Sequence, residues 1–328
     1  MKKLILFFSI LSIILTNGFS QESTTTFEPN GKPLALIFSN FHTTFTDNTT
    51  FSQFQIRRAY LGYEYNFSKN WYAKLVLDVG NPGVGKFEAT AFLKNAYFSY
   101  KESKLSASFG MISTTQFKVS EKIWGYRYIL KSFQDAYGFN ASADLGVKID
   151  YKFADFISAD LAITNGEGYK RIEVDSVLRY AIGTIIKPLK NITARVFVDV
   201  MGNETKQQSL ATFLAYTNKK FVMAAEYNYQ KNFRMNEGKD TYGLSLFSSF
   251  KPSDKTKIFA RYDKLNSSVL VGENSPWQID ANGQYIIAGI EYSPIKGVKL
   301  APNFRNWSPD DENRSNRIDL FLNCQLKF

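Results

Sequence analysis

The 328-residue sequence holds one cysteine, Cys324, and one histidine, His42. The lone thiol excludes an intrachain disulfide and a cysteine-rich metal site. The lone imidazole removes the commonest acid–base and metal chemistry. After residue 20 no apolar run approaches the length of about eighteen residues that a spanning helix needs. Mean hydropathy is −0.24, too polar for a helical membrane bundle. With 21% charged residues, 20 glycines and 9 prolines, neither disorder nor a collagen-like repeat fits. P-loop, GxGxxG and zinc-spaced patterns are missing, so no cofactor is implied. What is present in quantity is aromatic: 29 Phe, 19 Tyr and 4 Trp, or 16% of the chain. The net charge of +10 could serve nucleic acid, anionic lipid or small anions.

The amino terminus narrows that choice. Lys2 and Lys3 precede an apolar run from Leu4 to Leu15, and Gly18 and Ser20 supply small residues before Gln21. This is the layout of a secretory signal peptide over 1–20, and the run is too short to anchor as a spanning helix. No cysteine lies near the cleavage point, which excludes a lipoprotein. Export also argues against a nucleic-acid partner. Without Lys2 and Lys3 the charge becomes +8.

The remainder alternates with a period of two. From 317 to 328 the odd positions are Arg317, Asp319, Phe321, Asn323, Gln325 and Lys327; the even ones are Ile318, Leu320, Leu322, Cys324, Leu326 and Phe328. One face is apolar and the other mostly polar, the signature of a strand rather than a helix. Segments 143–151, 156–164 and 221–230 alternate likewise. The pattern predicts sixteen strands near 34–45, 51–65, 71–79, 91–100, 105–111, 143–151, 156–164, 177–187, 191–201, 209–217, 221–230, 240–250, 256–264, 283–292, 298–306 and 316–328. Most have the length that a tilted strand needs to cross a hydrocarbon layer.

The connections sort by parity. Short ones (66–70, 101–104, 152–155, 188–190, 218–220, 251–255 and 293–297) alternate with mostly longer ones, of which 112–142 is the longest. A soluble sandwich has no reason to do this, whereas an outer-membrane barrel has short periplasmic turns and longer outer loops. The expectation is an all-β transmembrane antiparallel β-barrel over 34–328, with a short periplasmic segment at 21–33 and both termini periplasmic. Clusters such as Tyr63-Glu64-Tyr65-Asn66-Phe67 and Tyr97-Phe98-Ser99-Tyr100 sit at strand ends, where aromatic girdles meet the lipid headgroups.

The segment Phe54-Gln55-Ile56-Arg57-Arg58-Ala59-Tyr60-Leu61-Gly62 resembles an early strand of the phosphate-selective porin O/P family. Leu75-Val76-Leu77-Asp78-Val79 resembles the strand that follows, and Asn95-Ala96-Tyr97, Asn165-Gly166-Glu167-Gly168 and Arg261-Tyr262-Asp263 are further echoes. The resemblance implies a sixteen-stranded, trimeric diffusion channel of the Gram-negative outer membrane, constricted by an inward-folded loop; 112–142 matches that loop in position.

Alternation places twelve bases and ten acids in the lumen, among them Arg58, Lys148, Arg195, Arg261 and Arg305, and most are expected to pair across strands. Such a balance predicts no strong anion field from the wall. The long loop carries Lys118, Lys122, Arg127 and Lys131 against Glu121 and Asp135, a local excess of two. In a narrow passage that excess would favour anions, phosphate-like ones included. Trp124, Tyr126, Tyr128 and Phe133 would anchor the loop or offer an organic solute an apolar surface. Arg57 follows Gln53 and Gln55 on the face opposite Arg58, so alternation sends it outward, to the rim or a subunit contact. At mid-bilayer it would cost about 2–4 kcal/mol.

The function expected is passive diffusion of small hydrophilic solutes or anions through a lipid-embedded porin. Rival readings are a barrel for a specific organic solute, a plugged receptor and an outer-membrane enzyme. Residues 21–33 are too few for a plug domain, and His42 has no nucleophile motif around it. Eleven lysines in the short turns, against Glu102, Asp155 and Asp254, account for the whole +8, so the basic balance belongs to the periplasmic rim.

Overall fold

The computed structural model describes residues 27–47, 49–80 and 89–328. The expected signal peptide at 1–20 and positions 21–26 lie outside them. Sixteen strands follow one another round a single antiparallel sheet. Strands β1 to β8 are Asn30–Thr46, Thr49–Asn66, Trp71–Gly80, Thr90–Glu102, Leu105–Ser113, Ala143–Ala154, Ile157–Thr164 and Arg179–Ile186. Strands β9 to β16 are Ile192–Met201, Gln207–Thr217, Phe221–Lys231, Thr241–Phe250, Thr256–Ser267, Gly283–Tyr292, Val298–Pro309 and Arg317–Lys327. β1 pairs with β2 on one side and β16 on the other, closing the sheet into a barrel. Closure leaves no edge, which is what a strand-built structure in lipid requires. β1 begins at Asn30 rather than 34, because β2 is long enough to ladder with Gly31, Lys32 and Pro33 through Tyr65, Glu64 and Tyr63.

The alternating sequence acts as a sorting rule, and it sorts inside out. Outward Ile318, Leu320 and Leu322 are 40%, 49% and 48% exposed, while inward Asp319 and Asn323 are 3% and 0% exposed. A water-soluble protein buries its leucines and exposes its aspartates. Here the apolar band faces out round the whole wall, as in a transmembrane β-barrel. No helix of the described residues is long and apolar enough to cross a membrane; the strands cross instead. Exposed rings gather beside the short turns: Trp71 lies 5.0 Å from Tyr100, Tyr151 meets Phe153, and Phe221 lies 4.6 Å from Phe250.

Connections separate by end. At one end are short turns, among them 103–104, 155–156 and 218–220; at the other are the loops 114–142, 165–178, 232–240 and 268–282. Two connections depart from this sorting: 47–48 between β1 and β2, and 202–206 between β9 and β10, are no longer than the turns of the opposite end.

Three register slips interrupt the described strands: one between Lys152 and Ala154 leaves the exposed Phe153 extra, and the other two reshape the inner surface. The register between β1 and β2 slips between Phe38 and Ser39, which pair with Arg58 and Ile56 and leave Arg57 as the extra residue of a bulge. The register between β3 and β4 slips between Val76 and Leu77, which pair with Asn95 and Leu93 and leave Lys94 extra. A bulge adds one residue without a partner and shifts the phase of what lies beyond it. Arg57 therefore points inward beside Arg58, not outward as strict alternation predicts, and Gln53 and Gln55 face the lumen with it.

Candidate pore site

Segment 114–142 leaves the wall at Ser113 and returns at Ala143, lying across the inside of the barrel. Its backbone forms only two short helices, Lys118–Trp124 and Phe133–Ala136. Gly125 ends the first at φ 71, a left-handed conformation that glycine adopts without strain, and its N–H donates to the Glu121 carbonyl at 3.0 Å. Other carbonyls in the segment have no helix or ladder partner, and buried carbonyls need donors. The wall supplies them, chiefly as arginine.

Arg305 of β15 and Arg57 of β2 both donate to the Ile129 carbonyl, at 3.1 and 3.3 Å. Arg261 of β13 donates to the Lys131 carbonyl at 2.6 Å, and Arg195 of β9 to the Thr115 carbonyl at 3.0 Å. Asn323 of β16 reaches the Tyr128 carbonyl at 3.2 Å, and the Tyr128 hydroxyl donates to Glu291 at 3.0 Å. Lys94, the second bulge cation, donates to the Ser142 hydroxyl at 2.9 Å. Aromatic packing completes the attachment. Trp124 lies 5.2 Å from Phe247, Tyr126 lies 4.6 Å from Phe259, and the Arg261 guanidinium sits 5.1 Å above the Trp124 ring. Gly243 of β12 makes room for Phe133: a Cβ there would stand 2.6 Å from the Phe133 ring and 2.2 Å from the Lys264 carbonyl.

Arg195, Arg261 and Arg305, expected to line open lumen, are thus enclosed; the side chains of Arg195 and Arg261 are 3% and 1% exposed. Arg195 chelates Asp160 at 2.6 and 3.0 Å, and Arg261 chelates Asp263 at 2.6 and 2.8 Å. Arg305 has no carboxylate within 4 Å among the described residues and bonds instead to Asn303, Asn323 and the loop. These arginines hold the loop, because its unpartnered carbonyls are better acceptors than the alternation could reveal.

The opposite face of the segment is charged and wet. Arg127 pairs with Glu121 at 3.1 Å and Asp135 at 3.2 Å, and Lys131 pairs with Asp135 at 3.0 Å. Burial alone would raise the Asp135 carboxyl, but Arg127 and Lys131 outweigh it and hold it below the usual carboxylate range. Both loop acids are then matched. The excess of two resides in Lys118 and Lys122, each exposed and without an ion pair among the described residues. Lys118 meets water in the lumen yet is surrounded by wall, and that partial dehydration lowers its pKa against the opposing pull of Glu121.

The wall facing this side keeps its charges partly solvated. Side chains of Arg58, Lys74 and Lys148 are 23%, 25% and 24% exposed, paired with Asp78, Glu64 and Asp150 at 2.8, 2.8 and 2.9 Å. His42 lies elsewhere, stacked 4.7 Å from Phe321, with Nδ1 2.9 Å from Asn40 Oδ1 and Nε2 3.3 Å from the Gln53 side-chain nitrogen. Cys324 points outward in β16 as a free thiol. Alternation missed Arg57 and Asn323 as loop fasteners; nothing local in the sequence marks a bulge.

No protein-family model and no curated protein sequence matches the chain. Solved structures do. The chain is similar to OprB of Pseudomonas putida (TM-score 0.70, 9% identity, covering 91% of this chain and 94% of that one). It is similar also to a loop L8 deletion mutant of OmpT, an outer membrane protein of Vibrio cholerae (0.67, 12%, 92% and 99%). A third likeness is the outer membrane channel DcaP of Acinetobacter baumannii (0.66, 10%, 94% and 100%). At such identities the likeness bears on fold. The closed sixteen-stranded barrel of this chain has the fold of these outer-membrane proteins.

Proposed function

We propose that the protein is a diffusion porin of a Gram-negative outer membrane, passing small hydrophilic solutes with a weak preference for anions. The observation that carries this reading is the split interior. The loop closes part of the lumen, and Arg58, Lys74 and Lys148 of β2, β3 and β6, facing its polar side, stay about one-quarter exposed, as the lining of a water-filled passage would. The anion preference rests on Lys118 and Lys122, the loop cations without an ion pair among the described residues. The Arg57-Arg58 strand keeps the phosphate-selective porins as the nearest family reading.

In this reading residues 1–20 are removed on export, both termini and the short lysine-rich turns lie in the periplasm, and the apolar band meets lipid. A homotrimer is the expected assembly, in keeping with the trimer form in which OmpT of Vibrio cholerae has been solved. Enzyme chemistry finds no support at His42, whose ring neighbours are an asparagine, a glutamine and a phenylalanine. Reconstitution in planar bilayers tests the proposal: stepwise ohmic conductance in potassium chloride is expected. Under a salt gradient the reversal potential should favour chloride weakly, and Lys118→Gln should move it toward zero. Absence of conductance steps would sink the porin reading, and an unmoved potential would sink the assignment to Lys118.

A further inference from the structure

At the loop end a cavity of about 470 Å³ lies above the inward segment, bounded by it and by loops 165–178 and 232–240. That is the size of a small-molecule site. Among the described residues six cations line it, Arg58, Lys131, Lys170, Arg171, Arg179 and Arg234, against two acids, Asp135 and Glu167. Arg58, Lys131 and Arg179 are answered by Asp78, Asp135 and Asp199. Lys170, Arg171 and Arg234 are exposed and have no carboxylate within 4 Å among the described residues. The wall alternation showed a near balance of charge; the loops do not follow it.

Three further features mark the cavity as built. Arg179 and Gln207, 6% and 3% exposed, both line it, and the Arg179 Nε and Gln207 Nε2 donors are buried with no acceptor among the described residues. Unpartnered buried donors are costly and uncommon, and these await an acceptor. The turn at 233–235 is strained: Asn232, Arg234 and Met235 sit at φ 52, 53 and 59. Such conformations persist where surrounding structure enforces them, and they concentrate at functional sites. Here Gln207 Oε1 accepts the Arg234 N–H at 2.8 Å and Asp240 Oδ1 accepts the Asn232 N–H at 2.9 Å. The opposite loop is fixed as firmly. Asp144 accepts the N–H groups of Gly166 and Gly168 at 2.7 and 3.2 Å, and both glycines have positive φ. Finally, the lining is not only charged. Phe139, Tyr169, Met201, Phe233 and Met235 present rings and thioethers between the cations.

We propose that this cavity is a recognition subsite for an organic anion, a carboxylate carried on a small apolar or aromatic body, which docks there before passing the constriction. Arg171 and Arg234 attract and bond the carboxylate, Gln207 and Arg179 add donors, and the Phe and Met side chains hold the body. A bare inorganic anion would use the cations and make no use of that apolar lining. The proposal rests on the porin reading, from which its test is separable.

The test uses the full-length wild-type channel in planar bilayers, with benzoate, inorganic phosphate and benzyl alcohol added to each side in turn. Conductance in potassium chloride reports the channel itself. Benzoate is expected to produce concentration-dependent block from one side only, with phosphate and benzyl alcohol at least about tenfold weaker. Arg171→Gln and Arg234→Asn, the second chosen because asparagine tolerates positive φ, should each weaken benzoate block about tenfold, the loss of one charge-assisted hydrogen bond. Retained heat-modifiable migration of each variant in gels shows that the barrel is folded. Saturation-transfer NMR on the detergent-solubilised protein should show benzoate ring protons in contact in wild type and reduced contact in both variants. Conducting channels that benzoate does not block would overturn the subsite while leaving the porin reading standing. Equal block by phosphate would overturn the organic ligand, and variants as sensitive as wild type would overturn the assignment to Arg171 and Arg234.

Discussion

The two faces of segment 114–142 solve different problems with the same residue types. On the face toward β9, β12, β13, β15 and β16, arginines are sealed from water and bound to carboxylates, amides and loop carbonyls. On the face toward β2, β3 and β6, Arg58, Lys74 and Lys148 each pair with one carboxylate and remain about one-quarter exposed. The difference teaches that an inward cation in a barrel is not by default a solute contact. Whether it serves as a fastener or as lining depends on which unpartnered acceptors the loop brings to it.

The sealed face should be the more fragile. Arg261→Leu would strand Asp263, remove the donor to the Lys131 carbonyl and uncover Trp124. Breaking a buried ion pair from one side costs about 3–5 kcal/mol. The expected outcome is a clear fall in the urea midpoint of the micelle-bound protein, with Arg58→Leu on the wet face giving a visibly smaller one. Equal losses would erase the distinction between the faces.

A gentler perturbation acts on position. Gly243→Ala places a methyl against the Phe133 ring and the Lys264 carbonyl, and overpacking of this kind costs about 1–3 kcal/mol. Relief comes by pushing the loop away from β12, toward the passage. Single-channel conductance should therefore fall while the barrel stays folded; an increase would place the passage on the other side of the loop.

The smallest effect expected is electrostatic. Lys118 has a lowered pKa, so as pH rises it gives up its positive charge before an ordinary lysine, whose pKa is about 10.4, would do so. Chloride-to-potassium permeability should decline in alkaline solution below that value, and the decline should shrink in Lys118→Gln. A ratio flat with pH in both proteins would remove Lys118 from the passage.

Much of this architecture was readable from residues alone. Alternation at 317–328, 143–151 and 221–230 corresponds to real strands because each inward or outward choice is made locally, one residue at a time. Loop parity was readable for the same reason: turn length is a local property. What alternation could not supply was long-range. The pairing of Ile129 with Arg57 and Arg305 joins residues 72 and 176 positions apart. The loop acids could be counted, but their capture of Arg127 and Lys131 depends on a helix ending at Gly125. The basic cavity escaped notice because its cations come from 170–171 and 234, in loops that carry no period at all.

The bulges at Arg57 and Lys94 have an evolutionary corollary. A substitution can change what a barrel shows its solute only at positions that already face inward. An insertion of one residue at a bulge adds an inward side chain and leaves the facing of the strand on either side intact. The extra residues at these two bulges are both cations, and both reach the inward loop. The number of lumen-facing groups is therefore not set by strand count and length, and single-codon insertions or deletions offer such channels a route to new linings that point mutation does not.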